Sequence, residues 1–345
     1  MDKKKLITSL VFIIIVGAVI ISLTVSKKSY AVGTTLVDTV KALNKGSSWS
    51  AGASGVYYTN SHEYRYIGAE VNNYVKFNND LYRIIGVFDS NSHGVSNTEL
   101  VKLIRARSLG GYSWGAYNTD NSAGTYSGYA NDWTGKSKTS KANLNVLLNE
   151  YFYNKTDTSS TYGDCANWTY YYSNNSYKTK DCSDIITYGI DSSLRGYIET
   201  TTWYLYGSGT NQSKQNWYLC ERGGNSCTSS GPSTGDTSVT SKIGLMYLSD
   251  YLYASGYYSN ADTTTQGNNY FGNKNWLYKG WEWTMTPYAS GTNRVWSVVN
   301  GNTSYNTSLS QNGSRPSFYL KSSVYVTGGD GSFDDPYTLG CDNCS

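Results

Sequence analysis

The chain has only two histidines, His62 and His93. Any Ser/His/Asp or Cys/His reaction centre must be built on one of them. Both fall in polar stretches (NSHEY and NSHGVSN) with no nucleophile or acid at motif spacing, so both are expected to be solvent-exposed loop residues. Clusters of His and Cys with metal-ligand spacing are absent from the sequence as well. Cys341-Asp342-Asn343-Cys344 has the spacing of a redox dithiol. No helix follows to depress a thiol pKa, and a structural disulfide is the expectation. The run GGDGSFDD places Asp330, Asp334 and Asp335 in a glycine-rich loop. Flexible oxygen-rich loops suit calcium, although the spacing is not that of an EF-hand, so the run reads as a plain turn or as a cation loop. With no acid pair or nucleophile–base pair standing out, the sequence argues against an enzyme. A pair of glycosidase carboxylates joined only by the fold stays compatible with it.

The six cysteines are Cys165, Cys182, Cys220, Cys227, Cys341 and Cys344. An even number in an exported chain points to disulfides, and local pairing is expected: Cys165–Cys182, Cys220–Cys227 and Cys341–Cys344.

The elements that must position these residues read as follows. Thr34 to Lys45 carries Leu36, Val40 and Leu43 at helical spacing, and residues 46–55 form a linker. From Val56 the runs become strand-sized: VYYTN, YRYIG, NYVKF and LYRIIGVF. Asn78-Asn79-Asp80 is a hairpin signal, Leu81 to Phe88 is apolar on both faces and so a central strand, and Leu100 to Ile104 is the next strand. Residues 106–139 read as long ordered loops. Ser140 to Tyr153 is a helix with Leu144, Leu147, Leu148 and Tyr151 on one face and Ser140 as N-cap. Residues 154–184 and 206–240 read as polar and aromatic surface excursions, each braced by a cysteine pair. After Lys242 come a short strand, a turn or short helix, and three strand-sized blocks: WLYKGWEWTMTPY, NRVWSVVNG and SRPSFYLKSSVYV. A polar turn parts the last two. Trp281, Trp283 and Met285 share one strand face, and they and Trp296 are expected in the core. Tyr288, Asn300, Asn302, Tyr305 and Asn306 fall in the loops between these strands. The fold class expected is α+β and β-rich.

Of the 345 residues, 35 are Tyr, 10 are Trp and 35 are Gly, while only 15% are charged. Such richness in aromatics excludes disorder and suits an extracellular β-rich domain with many tight turns. The net charge of +3 belongs to the N-terminus. Residues 1–31 hold five lysines and one aspartate, and without them 23 basic residues face 24 acidic ones, a net of −1. No global field or basic stripe is left to attract nucleic acid. Lys3 to Lys5 precede Leu6–Val25, 20 uncharged residues long enough to cross a bilayer as a helix. Ser29-Tyr30-Ala31 presents small residues for cleavage after Ala31, whereas the length of the apolar run suits an uncleaved anchor, and both remain open. The expected organisation is a signal peptide or anchor over 1–31, a short helix and linker over 32–55, and an extracytoplasmic domain over 56–345.

Three segments resemble a family of uncharacterised exported proteins of Gram-positive bacteria: GVYYTNSHEYRYIGAEVNNYVKFNNDLYRIIGVF, KIGLMYLSDYLYA, and WEWTMTPY with VWSVVNG, RPSFYL and GGDGSFDDPYTL. The last, within about 242–345, also resembles C-type-lectin-like and formylglycine-generating-enzyme-like domains. That resemblance implies a mixed core sheet with long ordered loops, in which a tryptophan-containing strand and a later Arg-Pro strand take part. No cysteine here sits in the copper-binding context of formylglycine-generating enzymes, so that activity is not carried over. What the resemblance implies is a cell-surface or secreted protein binding a glycan or a protein, with Tyr288, Asn300, Asn302, Tyr305 and Asn306 as its ligand residues. The alternatives are a structural or adhesive envelope component and an extracellular hydrolase. No cofactor is expected beyond calcium, and no nucleic-acid partner.

Overall fold

Asn78 and Asn79 give the chain its clearest local instruction. Both sit at φ 56°, the left-handed pair that a two-residue type I′ turn requires. They join Tyr74–Phe77 to Asp80–Phe88 as an antiparallel hairpin in register Phe77↔Asp80 to Tyr74↔Arg83. The computed structural model describes residues 33–115, 132–134, 142–161, 163–165, 169–173, 176–179, 182–224, 236–257, 259, 274–291 and 293–344. The apolar run 6–25, Ala31, Ser140 and Cys227 lie outside them. Among the described residues, no helix is long and apolar enough to cross a membrane.

Asp80–Phe88 is central, as its two-sided apolar pattern predicts, and Tyr82 to Phe88 are all buried. Leu100–Arg105 pairs along one edge and Ser317–Leu320 lies beyond it, both antiparallel. The other edge is shared. Tyr74–Phe77 covers its first half, then Tyr64–Ile67 takes over through Tyr64↔Val87 and Arg65↔Gly86, with Gly55–Tyr58 outside it. Gly86 permits this close approach, because a Cβ there would stand 2.2 Å from the Tyr64 carbonyl oxygen.

A second sheet has five strands in the order Asn302–Thr307, Arg294–Val299, Glu282–Pro287, Gln311–Gly313 and Gly111–Ser113. It is mixed. The contact Glu282↔Gly313 is parallel and the other pairings are antiparallel. Three of its strands correct the sequence reading. Asn302–Thr307 and Gln311–Gly313 occupy the polar segment expected to be a turn, and Gly111–Ser113 lies in a stretch expected to be loop. Asn302–Thr307 is an edge strand with mostly outward-facing residues, so no apolar alternation marks it. Both faces of Glu282–Pro287 are buried. Trp283, Met285 and Trp296 are core, as expected, but Trp281 precedes the strand and is 54% exposed.

Among the helices, Leu36–Lys41 forms where expected, and the Thr35 hydroxyl caps it by accepting the Asp38 N–H at 3.0 Å. The expected helix at 140–153 is Asn143–Val146 running into a π-helical turn, Leu147–Phe152, with Leu144, Leu147, Leu148 and Tyr151 buried. The stretch 206–240 is not merely a surface excursion. It contains the helix Lys214–Glu221, which buries Trp217, Tyr218, Cys220 and Glu221. That helix packs on Leu248–Tyr253, which in turn touches both sheets. Cys165–Cys182 and Cys341–Cys344 are bonded as expected. Cys220 is also disulfide-bonded, while its expected partner Cys227 is outside the described residues. The result is a β-rich α+β fold.

Candidate functional site

Tyr288 follows the strand Glu282–Pro287, and Tyr305 lies on Asn302–Thr307. Their rings stack with centroids 4.2 Å apart and planes at 31°. Trp296, directly across from Tyr305 in the register, lies 5.6 Å from the Tyr288 ring and 5.5 Å from the Tyr305 ring. The indole is fixed from below: its Nε1–H donates to the Ser208 carbonyl at 2.8 Å, and its ring meets Trp217 edge-on at 4.9 Å. Two surface tyrosines therefore stand on a column of buried tryptophans. The Arg294 guanidinium lies 5.1 Å from the Tyr305 centroid, within cation–π range. Tyr305 is 40% exposed. Partial burial and the neighbouring Tyr305 push the Tyr288 hydroxyl up, so it stays protonated and able to donate at neutral pH.

The other expected ligand residues do not join this pair. Asn300 is at the hairpin tip with φ 50°, and its Oδ1 accepts the Trp281 Nε1–H at 2.9 Å. The turn and three residues of strand, about 10 Å, separate it from Tyr305. Asn302 and Asn306 are strand residues rather than loop residues, and the buried Asn306 amide nitrogen has no acceptor among the described residues. The sequence candidates thus divide into a tyrosine pair backed by tryptophan and a separate Trp281–Asn300 contact.

In the acidic loop, Asp330 Oδ1 accepts the Ser332 N–H at 2.9 Å. The Asp335 carbonyl accepts the N–H groups of Asp330 and Gly331 at 2.9 and 3.1 Å, and the Asp335 N–H reaches the Ser332 hydroxyl at 3.0 Å. These bonds close a tight turn that carries Asp334 on its exposed rim. Among the described residues, no group of three or more His, Cys, Asp or Glu could hold a metal ion.

The densest assembly of ionisable groups is one that no spacing in the sequence signals. Arg65 donates to Glu63 through Nε and a terminal nitrogen at 3.0 and 2.6 Å, and to Asp250 at 2.8 Å. Lys102 Nζ reaches the other Asp250 oxygen at 2.7 Å. The Ser92 hydroxyl bonds Glu63 and accepts from Arg222 at 3.1 Å. Glu221 accepts from the Thr286 hydroxyl at 2.6 Å and lies 3.8 Å from Arg222. Three acids thus face three bases. Burial would raise the Asp250 pKa, but Lys102 and Arg65 outweigh it and hold the carboxyl down to about 2. Glu221 is pushed up by burial, which its partners only partly offset. Glu63, Arg65, Lys102, Glu221 and Asp250 are at most 1% exposed. So deeply buried, this network ties the sheets to the helices.

His93 belongs to the same interior, which corrects its expected exposure. It ends a short helix, Ser90–His93, and is fully buried. Its Nδ1 accepts the Val95 N–H at 3.2 Å, leaving Nε2–H to donate to the Phe88 carbonyl at 3.1 Å. Burial lowers its pKa. His62 is exposed, as expected.

No protein-family model, curated protein or solved structure matches the chain.

Proposed function

We propose that the chain is an exported surface or secreted protein that binds a glycan or a protein outside the cell through the Tyr288–Tyr305 face. One observation carries this reading: two half-exposed tyrosine rings, stacked at 4.2 Å, are held by a buried tryptophan rather than by mobile loop. Rigid aromatic rings with polar tips supply contact area at low ordering cost, and they stack on sugar rings or on peptide side chains. The Arg294 guanidinium beside Tyr305 adds hydrogen-bond donors at the rim. The C-type-lectin-like reading finds its support in the mixed five-stranded sheet with its tryptophan-containing strand. The strand after Arg315-Pro316 lies in the other sheet, so the likeness is confined to part of the arrangement.

A glycan array and a panel of envelope proteins, probed with the exported portion, test the reading. Tyr305→Ala is expected to weaken a captured ligand about tenfold or more, the scale of a buried aromatic anchor, with near-UV circular dichroism preserved. A ligand held equally well by Tyr305→Ala and Tyr288→Ala would place binding elsewhere.

A further inference from the structure

A cleft of about 440 Å³ opens where the strand Tyr74–Phe77, the segment 275–279 and the acidic loop meet. Its volume falls in the range of small-molecule sites, ~300–1,000 Å³. Arg83 lines it and is 4% exposed. The guanidinium lies between the rings of Tyr74 and Trp276, 4.3 and 4.5 Å from their centroids. Nε donates to Asn73 Oδ1 at 2.7 Å, and the two terminal nitrogens donate to the carbonyls of Trp276 and Val71 at 3.0 and 3.3 Å. All three acceptors are neutral, and two of the five N–H groups of an arginine remain unused among the described residues.

The lack of an acid in contact sets Arg83 apart from four other buried cations. Arg65 has Glu63 and Asp250, Lys102 has Asp250, Arg105 has Asp80, and Arg315 has Glu282. Neither Arg83 nor Lys279, which lines the same cleft, has a carboxylate within ion-pair distance among the described residues. Burial and Arg315 lower Arg83 to about 10, against Tyr74 and Glu70, which raise it; partial burial, Arg83 and Arg315 lower Lys279, against Glu282. Glu70 stands on the exposed rim. Holding a charge out of water with no carboxylate in contact is costly, and an anion entering the cleft would reduce that cost. The remaining walls are aromatic and amide. Phe333, 61% exposed, meets Tyr74 edge-on at 5.4 Å, and Tyr278 and Asn275 complete them. Aromatic rings flanked by an amide and cations suit a sugar ring that bears an acid group.

We propose that this cleft binds an acidic saccharide, its carboxylate or phosphate ester between Arg83 and Lys279 and its ring against Phe333 and Tyr278. The site is separate from the Tyr288–Tyr305 face and does not rest on it. Isothermal titration of the full-length chain in detergent would use four probes: digalacturonate, glucose 6-phosphate, neutral maltose and an aspartate-rich peptide. Saturable binding of digalacturonate or of the sugar phosphate is expected, and which one binds identifies the acid group. That binding should fall about tenfold in Lys279→Gln, the scale of one charge-assisted hydrogen bond. It should weaken in Phe333→Ala and persist in Tyr305→Ala. Both cleft substitutions are at exposed side chains, and an unchanged melting temperature shows that the fold is kept. The proposal is overturned if neither acidic sugar binds at millimolar concentration, if maltose or the peptide binds as tightly, or if Lys279→Gln binds like the parent.

Discussion

Replacing Asp250 by asparagine keeps the shape of the side chain and removes the charge on which two buried cations depend. Among the described residues, Lys102 loses its only ion-pair carboxylate, and Arg65 keeps Glu63 alone. Breaking a buried pair by deleting one partner costs about 3–5 kcal/mol. An upper bound comes from Lys102 itself, which can shed its proton instead. From an ordinary lysine pKa near 10.4 to pH 7, that step costs about 5 kcal/mol. The expected loss is therefore about 3–5 kcal/mol, read by urea unfolding of residues 32–345 through tryptophan fluorescence. Two pH signatures separate this from a generic packing defect. In the parent, Lys102 and Arg65 outweigh burial and hold the folded Asp250 pKa down to about 2, from an ordinary 3.8. Its contribution of about 2 kcal/mol is then present above pH ~4 and lost as pH falls toward 2, and the variant lacks this limb. In the parent, burial already lowers the Lys102 pKa against the pull of Asp250. Without that carboxylate, protonation in the folded state is disfavoured further. The unfolded chain then binds more protons, and stability should rise from pH 7 to 9 more steeply than the parent's. A loss below about 1 kcal/mol with a flat pH response would refute the assignment of Asp250 as the counter-ion of both cations.

The His93 pKa is lowered by burial, so the unfolded chain takes up the proton first. Thermal stability should fall as pH drops below ~6.5, and His93→Gln should flatten melting curves collected between pH 7.5 and 5. The Cys165–Cys182 bond closes a separation of 17 residues. Changing both to serine is expected to cost about 3 kcal/mol in urea titrations at neutral pH, and an unchanged midpoint would show that the loop needs no staple. Gly86→Ala would press a methyl against the Tyr64 carbonyl and should cost about 1–3 kcal/mol, accompanied by faster amide exchange across Tyr64–Ile67.

Legibility in the sequence follows the range of the interaction. The helix Leu36–Lys41, the Asn78-Asn79 turn and the strand Asp80–Phe88 are set by neighbours a few residues away, so spacing and turn chemistry reveal them. Asn302–Thr307 is a strand because Arg294–Val299 offers it a ladder, and Gln311–Gly313 because Glu282 and Gly111–Ser113 flank it. Neither sequence carries a periodic apolar signal. The same holds for the sites. Tyr288 and Tyr305 were readable as loop aromatics between strands, but Tyr305 lies within the strand Asn302–Thr307, and the buried Trp296 in contact with both is what makes them a rigid pair. Glu63, Arg65, Lys102, Glu221 and Asp250 come from four distant parts of the chain. Arg83 sits in a run that reads as ordinary strand, and its missing counter-ion is visible only once Asn73, Val71 and Trp276 surround it with neutral acceptors.

Thr35 bridges Tyr325, the Leu36 N–H donates to the Val324 carbonyl at 2.8 Å, and Tyr325 pairs in turn with Gly340. The first and last described stretches of the domain therefore meet on a single seam, a two-stranded ribbon bridged by Thr35. A tether attached ahead of Thr34 would deliver its tension to this seam first, loading the Leu36–Val324 and Val326–Thr34 bonds before either large sheet feels the force. The same closure makes the domain a cassette. Its order of segments could be circularly permuted by joining the two ends and opening an exposed loop, with both sheets left intact.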